Sequence, residues 1–411
     1  MFYGWKLATI GSCGNLLLQG SVFYTMNAFI EPLVDLHGWS RAGIGLSMTF
    51  ASAMMTLSMP IGIMLTNKVS IRLLMTLGAF IGGLGYIGLG HVDDIRLFAA
   101  LFSIVWVCGQ ICGGVVATML MNRWFAACRG RAFGLVAMGT SLSGAFLPFI
   151  ALVLVDTFGV SWAFSVLGGL AFLLFPICWR LIRDTPEEIG LTVDGLAAGA
   201  FQPGAEEGKV VPIGWRELIR GRRMWIIGVS FGIGLMAVGG VLSQLKPRFV
   251  DSGMGSYAAM GFMCLTALLG ALGKYAWGWV CDRTTPLFTA KLLFLCNALS
   301  LACIFLPQNL FNVILFVVGY GLCMGGIWTV FPVVVAYLYG KKQFPHVYKY
   351  ISLFVAVKSL GYAVVGLSHG LTGSYNTAYI MLIVLLLAAF AATSTIREHE
   401  AAEGNVFATC N

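Results

Sequence analysis

The sequence predicts an all-α membrane protein of twelve transmembrane helices, arranged as two pseudo-symmetric six-helix bundles with both termini in the cytoplasm. Three observations predict it. Of the 411 residues 59% are hydrophobic and 10% are charged, where a soluble domain carries about 25% charged residues. A core cannot enclose that surplus of apolar side chains, so most of them face lipid. The apolar residues also fall into twelve runs, each close to the 20 or so residues that cross a bilayer. Finally, the chain resembles itself at an offset of about 216 residues, the mark of an internal repeat.

The first run, 6–30, begins like a weak secretion signal but stays apolar to Phe29, which is too long for one, and so reads as a span. Five more follow at 41–66, 72–91, 96–121, 131–155 and 161–182. The stretch 183–223 is rich in glycine, proline and charge and reads as a linker between a bundle over 1–182 and a second over 224–411. Its end, "GWRELIRGRR", suits a short amphipathic helix on the membrane surface as well as a basic linker. The remaining runs are 224–250, 257–281, 288–306, 311–338, 346–370 and 374–396, with a short tail after them.

Orientation follows from the basic residues. With the N-terminus inside, 19 Lys and Arg side chains lie on the cytoplasmic side, whereas only Arg41, Arg96, Lys246 and Arg248 lie outside; basic loops stay inside. The net charge of +8 is then explained by loops facing anionic lipid, without nucleic acid. The 11 cysteines are scattered through apolar runs and read as small helix residues rather than a disulfide framework. Cys108 and Cys112 are one turn apart, with no His or acid near them, so no metal site is expected. No cofactor is expected either. No acid, nucleophile or metal cluster stands at mid-depth, which excludes a membrane enzyme.

The repeat is explicit in the loops. "PLVDLHGWSRAGIG" from Pro32 parallels "PRFVDSGMGSYAAMG" from Pro247, which pairs Asp35 with Asp251 and Gly38 with Gly253. Gly62 in "GIMLTNKVS" pairs with Gly278 in "GWVCDRTTP". A duplicated six-helix unit is a transporter architecture, with its site between the halves near mid-membrane.

These features resemble the major facilitator superfamily. Gly278-Trp-Val-Cys-Asp282-Arg283 is similar to the family's Gly-x-x-x-Asp-Arg loop. The first-half copy has Thr66 where the acid is expected. "NRWFAACRGRAFGLVAMGTSLSG" (122–144) and "GGIWTVFP" (325–332) resemble the monocarboxylate and oxalate–formate transporters. The resemblance implies a cytoplasmic gating motif of Gly278, Asp282 and Arg283 with Arg129 and Arg131, in which an acid and bases at helix ends hold that side closed. Gly130, Gly134, Gly139 and Gly144 are read as packing positions.

Two lysines break the apolar pattern. Lys274 precedes Asp282 by 8 residues, about 12 Å of helix. Lys358 follows His346 by 12 residues, about 18 Å. Half a hydrocarbon core is about 15 Å, so both sit near the midplane. A charge there is disfavoured by at least about 2.5–3.5 kcal/mol and should face a cavity. No Asp or Glu stands at that depth in any span, and the expected neutralising group is an anion from outside. The oxalate–formate group resembles this pattern directly, with a basic residue in span 8 and a lysine in span 11 that grip carboxylates; Lys274 and Lys358 match them. Lysine in span 8 gives up the bidentate fork of the family's usual arginine.

Helical phase places Trp277 and Gly270 on the face of Lys274, and Gly361 and Tyr362 on that of Lys358. By resemblance, Tyr24 and Trp328 match aromatic pocket residues, whose hydroxyl and indole N–H suit a carboxylate. Other aromatic positions of that pocket fall on Gly114, Thr140, Met324 and Val355, so the expected substrate is larger than oxalate. The sequence therefore predicts a monomeric secondary carrier of mono- or dicarboxylates in the plasma (inner) membrane. Anion exchange is the simpler coupling, because Gly270 stands where proton-coupled relatives place an acid. Proton symport through a lysine and a non-transporting carboxylate sensor remain as alternatives.

Overall fold

The computed structural model describes residues 2–195, 214–307, 309–372 and 374–396, and every regular element among them is helical. The chain divides into two compact units, Met1–Lys209 and Val210–Asn411. In the first, α1 (Tyr3–Gly14) passes through a π-helical segment (Asn15–Gly20) into α2 (Ser21–His37). Then come α3 (Arg41–Leu65) and α4 (Ile71–Leu89). α5 (Ile95–Gly109) passes through a second π-helical segment (Gln110–Gly114) into α6 (Val115–Trp124). α7 (Arg129–Phe158), α8 (Val160–Phe172) and α9 (Leu174–Leu181) complete the unit. The second unit opens with α10 (Trp215–Arg220), followed by α11 (Arg222–Asp251), α12 (Ser256–Arg283), α13 (Pro286–Ala302) and α14 (Leu310–Ile351). A 3₁₀ segment (Ser352–Val357), α15 (Lys358–Thr372) and α16 (Asn376–Ser394) close it.

Short polar side chains start these helices. Ser40, Ser70, Asp94, Thr285 and Asn309 each accept a hydrogen bond from a first-turn backbone N–H of α3, α4, α5, α13 and α14, which supplies a partner to groups the helix leaves over. Gly38 ends α2 with φ +67° and Gly253 follows α11 with φ +87°. These are the two glycines that the repeat aligns, and a left-handed residue after a helix is the conformation glycine takes without steric penalty.

Among the described residues ten stretches are long and apolar enough to cross a membrane. Two of the predicted runs are not separate members of that set. The run 6–30 is not in that set; it folds as α1 and α2 on either side of the π-helical segment Asn15–Gly20. The runs 311–338 and 346–370 lie along one helical stretch, Leu310–Gly361, broken in backbone conformation at Gly340 (φ +76°). The helix in "GWRELIRGRR" does form, as the six-residue α10, with Leu218 buried while Trp215 and Ile219 are exposed.

Close packing rests on small residues, which let transmembrane backbones touch. In the second unit Gly273 of α12 abuts the Leu322 carbonyl of α14, and Gly325 of α14 abuts the Gly270 carbonyl. Gly361 of α15 lies against the Met236 carbonyl of α11. In the first unit Gly139 of α7 sits on the Ser12 carbonyl. Around these contacts aromatic rings stack: Phe29 on Phe164 at 4.0 Å in the first unit, and Phe231 on Phe331 at 4.9 Å in the second. Side chains such as Phe149 (72% exposed) and Leu46 (70%) point outward, as lipid-facing residues do. Nine of the described cysteines are free thiols.

Candidate functional site

The second unit brings the two lysines together. Lys274 lies on α12 in the turns that meet α14. Because Gly325 has no side chain, a β-carbon there would stand 2.9 Å from the Lys274 backbone nitrogen, so α14 closes directly over this turn. The lysine is only 4% exposed. Lys358 is the first residue of α15, at the point where the 3₁₀ segment returns to α geometry. A 3₁₀ stretch inside a long helix re-aims the side chains that follow, and such departures mark functional hinges. Its Nζ lies 5.6 Å from the centroid of the Trp328 ring on α14, within the range of a cation–π contact. The charges of Lys274 and Lys358 act on each other. The acidic residues of this unit among the described residues are Glu217 in α10, Asp251 at the end of α11 and Asp282 at the end of α12. Two cations converge on one region, whereas these acids are kept at helix ends.

The other expected pocket residues are placed as follows. Trp277 follows Lys274 by three residues; its ring packs on Gly326 and its indole N–H donates to the Leu322 carbonyl at 3.2 Å. That hydrogen bond ties α12 to α14 beside the lysine. Trp328 is half-buried. The side chain of Tyr362 lies outside the described residues. Tyr24 belongs to α2 in the first unit, where its ring meets Phe23 edge-on at 4.8 Å and lies against Gly144 of α7.

The residues expected to form the gating motif occupy helix ends. Gly278, Asp282 and Arg283 form the last turns of α12, and the Arg283 guanidinium lies 4.5 Å over the Trp279 ring. Arg129 donates from Nε to the Phe125 carbonyl at 3.4 Å, and Arg131 donates to the Cys128 sulfur at 3.2 Å.

The first unit contains a network that sequence reasoning missed. Asp184, after α9, accepts from the Ser70 hydroxyl at 3.0 Å and from the backbone N–H groups of Ile71 and Arg72 at 2.9 Å each. It also pairs with Arg123 at 3.7 Å. Arg123 in turn donates to the backbone carbonyl of Thr66 at 2.7 Å. Thr66 is the position where the repeat lacks its acid; the acid at this helix end comes instead from Asp184. Nearby, Asp194 accepts from the backbone N–H groups of Ala126 and Ala127 at 2.9 and 2.7 Å. The only signal was an aspartate just past the sixth run, within a stretch that composition assigns to a linker.

Residues 12–349 match the sequence profile of the Major Facilitator Superfamily. The chain is similar to the oxalate:formate antiporter of Oxalobacter formigenes, 24% identical over 385 residues that cover 92% of this chain and 87% of that protein. It is similar to monocarboxylate transporter 11 of Mus musculus, 24% identical over 285 residues that cover 68% of this chain and 60% of that one. In fold it is similar to the human organic anion transporter MFSD10 (TETRAN), with a TM-score of 0.72 and 16% identity over 96% of this chain and 100% of that one.

Proposed function

Because the chain belongs to the major facilitator superfamily, and so is a multi-pass membrane transporter and not an enzyme, we propose that it carries small organic anions, mono- or dicarboxylates, by alternating access and anion exchange. In this reading twelve spans form halves over 1–182 and 224–411, joined by a cytoplasmic linker over 183–223, with both termini cytoplasmic. The basic-residue asymmetry supports that orientation. The run 6–30 crosses despite its π-helical segment, and Gly340 divides Leu310–Gly361 into two spans.

The observation that carries the proposal is the convergence of Lys274, 4% exposed, with Lys358. Two like charges in a medium of low dielectric repel strongly. A carboxylate placed against both offsets the repulsion and accepts charge-assisted hydrogen bonds from both ammonium groups. The Trp328 ring beside Lys358 lines the same region with a flat apolar wall. The names of the similar proteins, an oxalate:formate antiporter and a monocarboxylate transporter, support the same class of cargo. Gly114, Thr140, Met324 and Val355, where the family resemblance places rings, support a substrate larger than oxalate.

Exchange follows from the same physics. With the anion bound, the lysine charges are balanced and the carrier can change state. Without it, the conversion carries bare charge through an apolar interior, and reorientation is slowed in proportion to that difference. Proteoliposomes loaded with a carboxylate test this. Uptake that requires internal anion, with the pH gradient clamped, supports exchange; uptake driven by a pH gradient into vesicles without internal anion replaces it with proton symport.

A further inference from the structure

The helical path breaks just before the first span of the second unit. α10 ends at Gly221, whose extended backbone (φ −73°, ψ 115°) separates it from α11. The Trp225 indole N–H donates to the Ile219 carbonyl at 2.7 Å and ties the two helices together. The Trp225 ring also meets the Phe354 ring edge-on at 5.6 Å. Phe354 belongs to the 3₁₀ segment that leads into Lys358, so α10 is fastened to the packed framework of this unit.

Around this break apolar and basic side chains are segregated. Helical spacing puts Trp215, Leu218 and Ile219 on one side of α10 and Arg216 and Arg220 on another. Leu218 is buried, whereas Trp215 (53%), Ile219 (44%) and Trp225 (47%) are exposed. The stretch 215–223 holds four arginines and one acid, Glu217. Arg216, Arg220 and Arg222 are exposed, and Arg223 is half-buried. The level of the bilayer surface is marked twice at this end of the unit. One candidate span starts at Arg222 and the next ends at Arg283, each with an exposed tryptophan, Trp225 or Trp279, about a turn inside it. The Arg216 guanidinium lies 5.4 Å over the Trp215 ring, as that of Arg283 lies over Trp279. Tryptophan rings collect at the headgroup level of membranes.

Charge complementarity names the occupant. Guanidinium groups hold phosphate through paired N–H donors, and basic residues at the membrane surface are drawn to anionic lipid. A free phosphate would engage the arginines and leave Trp215, Ile219 and Trp225 in water. A phospholipid engages both sets, as an amphipathic helix with a basic face and an apolar face does in a bilayer surface. We propose that α10 and the first turn of α11 form a docking surface for an anionic phospholipid, with Arg216, Arg220 and Arg222 on its headgroup and Trp215, Ile219 and Trp225 against its acyl chains. Because Trp225 packs on Phe354, the bound lipid stabilises the folded second unit, and unfolding reports its binding. The surface is independent of the cargo the protein carries.

The test uses the full chain in detergent with phosphatidylglycerol, phosphatidylcholine, or glycerophosphoglycerol, which is the anionic headgroup without acyl chains. Native mass spectrometry reads binding, and thermal unfolding reads stabilisation. Wild type is expected to bind phosphatidylglycerol about tenfold or more tighter than phosphatidylcholine, with a matching rise in Tm. Each of Arg216→Gln, Arg220→Gln and Arg222→Gln should weaken phosphatidylglycerol about fivefold, and the triple variant should bring the preference down to about one. Lys6→Gln, Lys68→Gln and Arg180→Gln together remove the same charge from exposed positions of the first unit and should change the preference less than about twofold, because distant exposed charges are screened. If the triple arginine variant fails to fold, the single ones carry the test. Wild type with no preference overturns the surface, as does a preference that survives the triple arginine variant. An equal loss in the two triple variants also overturns it and leaves only diffuse charge attraction. Glycerophosphoglycerol that binds as tightly as phosphatidylglycerol overturns the lipid in favour of a soluble phosphate ester.

Discussion

Replacing Asp184 with asparagine separates the latch of the first unit from its shape. The carboxylate accepts two backbone N–H groups at 2.9 Å and a serine hydroxyl at 3.0 Å, and pairs with Arg123 at 3.7 Å. Its side chain is 15% exposed, so water replaces little of what is lost. Asparagine keeps one acceptor oxygen but turns an NH₂ group toward donors. Loss of a helix cap is destabilising by about 1 kcal/mol. The negative charge at the N-terminus of α4 contributes about 0.3–1 kcal/mol more, and a hydrogen bond to a charged group about 1.5–3 kcal/mol. These overlap, and the Arg123 pair, at 3.7 Å, adds about 0–1 kcal/mol. A net loss of about 2–4 kcal/mol is expected, a fall in Tm of about 4–16 °C at roughly 2–4 °C per kcal/mol. Tryptophan fluorescence of the detergent-solubilised protein measures it, with Asp156→Asn on the exposed face of α7 as the control. An Asp184→Asn midpoint within about 1 °C of wild type would refute the reasoning, because the caps and the ion pair would then carry no load.

Three further outcomes are expected. Gly325→Ala places a methyl group against the Gly270 carbonyl and the Lys274 backbone, and should destabilise by about 1–3 kcal/mol and reduce uptake; thermal unfolding and transport read the two effects. Trp328→Leu removes the ring beside Lys358 and should weaken carboxylate binding by about 2- to 30-fold, the equivalent of about 0.5–2 kcal/mol, as titration calorimetry would show. Tyr86→Phe removes the hydroxyl shared by Ser21 at 2.9 Å and Thr25 at 3.0 Å and should lower stability by about 1–2 kcal/mol with carboxylate affinity unchanged; thermal unfolding and calorimetry together check it.

What the sequence disclosed depends on how each feature departs from an apolar background. Lys274 and Lys358 were legible because a lysine is the extreme outlier in such a run, and their depth follows from helical rise alone. That their charges meet was not legible. It depends on Gly270, Gly273 and Gly325 letting α12 and α14 touch, and on the 3₁₀ segment at Ser352–Val357, which no proline or glycine announces. Gly38 and Gly253 were legible because the helix end they form admits few other residues. The π-helical segments were not: Asn15, Gln19 and Gln110 carry no charge and scarcely change hydropathy. Asp184 was hidden for a different reason. Its partners, Ser70 to Arg72 and Arg123, lie far away in the chain, and no local pattern encodes such a contact. The backbone break at Gly340 was legible, since it falls between the apolar runs 311–338 and 346–370 and just before the polar residues Lys341 to Gln343.

The central claim is that Lys274 and Lys358 together hold the carboxylate. The most direct measurement is the Kd of the best-binding carboxylate for wild type, Lys274→Gln and Lys358→Gln, each at low and high salt. Each substitution should weaken binding by about 10- to 100-fold, the loss of one charge-assisted hydrogen bond, and should flatten the salt dependence. Affinities within about twofold of wild type in both variants, with the salt dependence intact, would contradict the account.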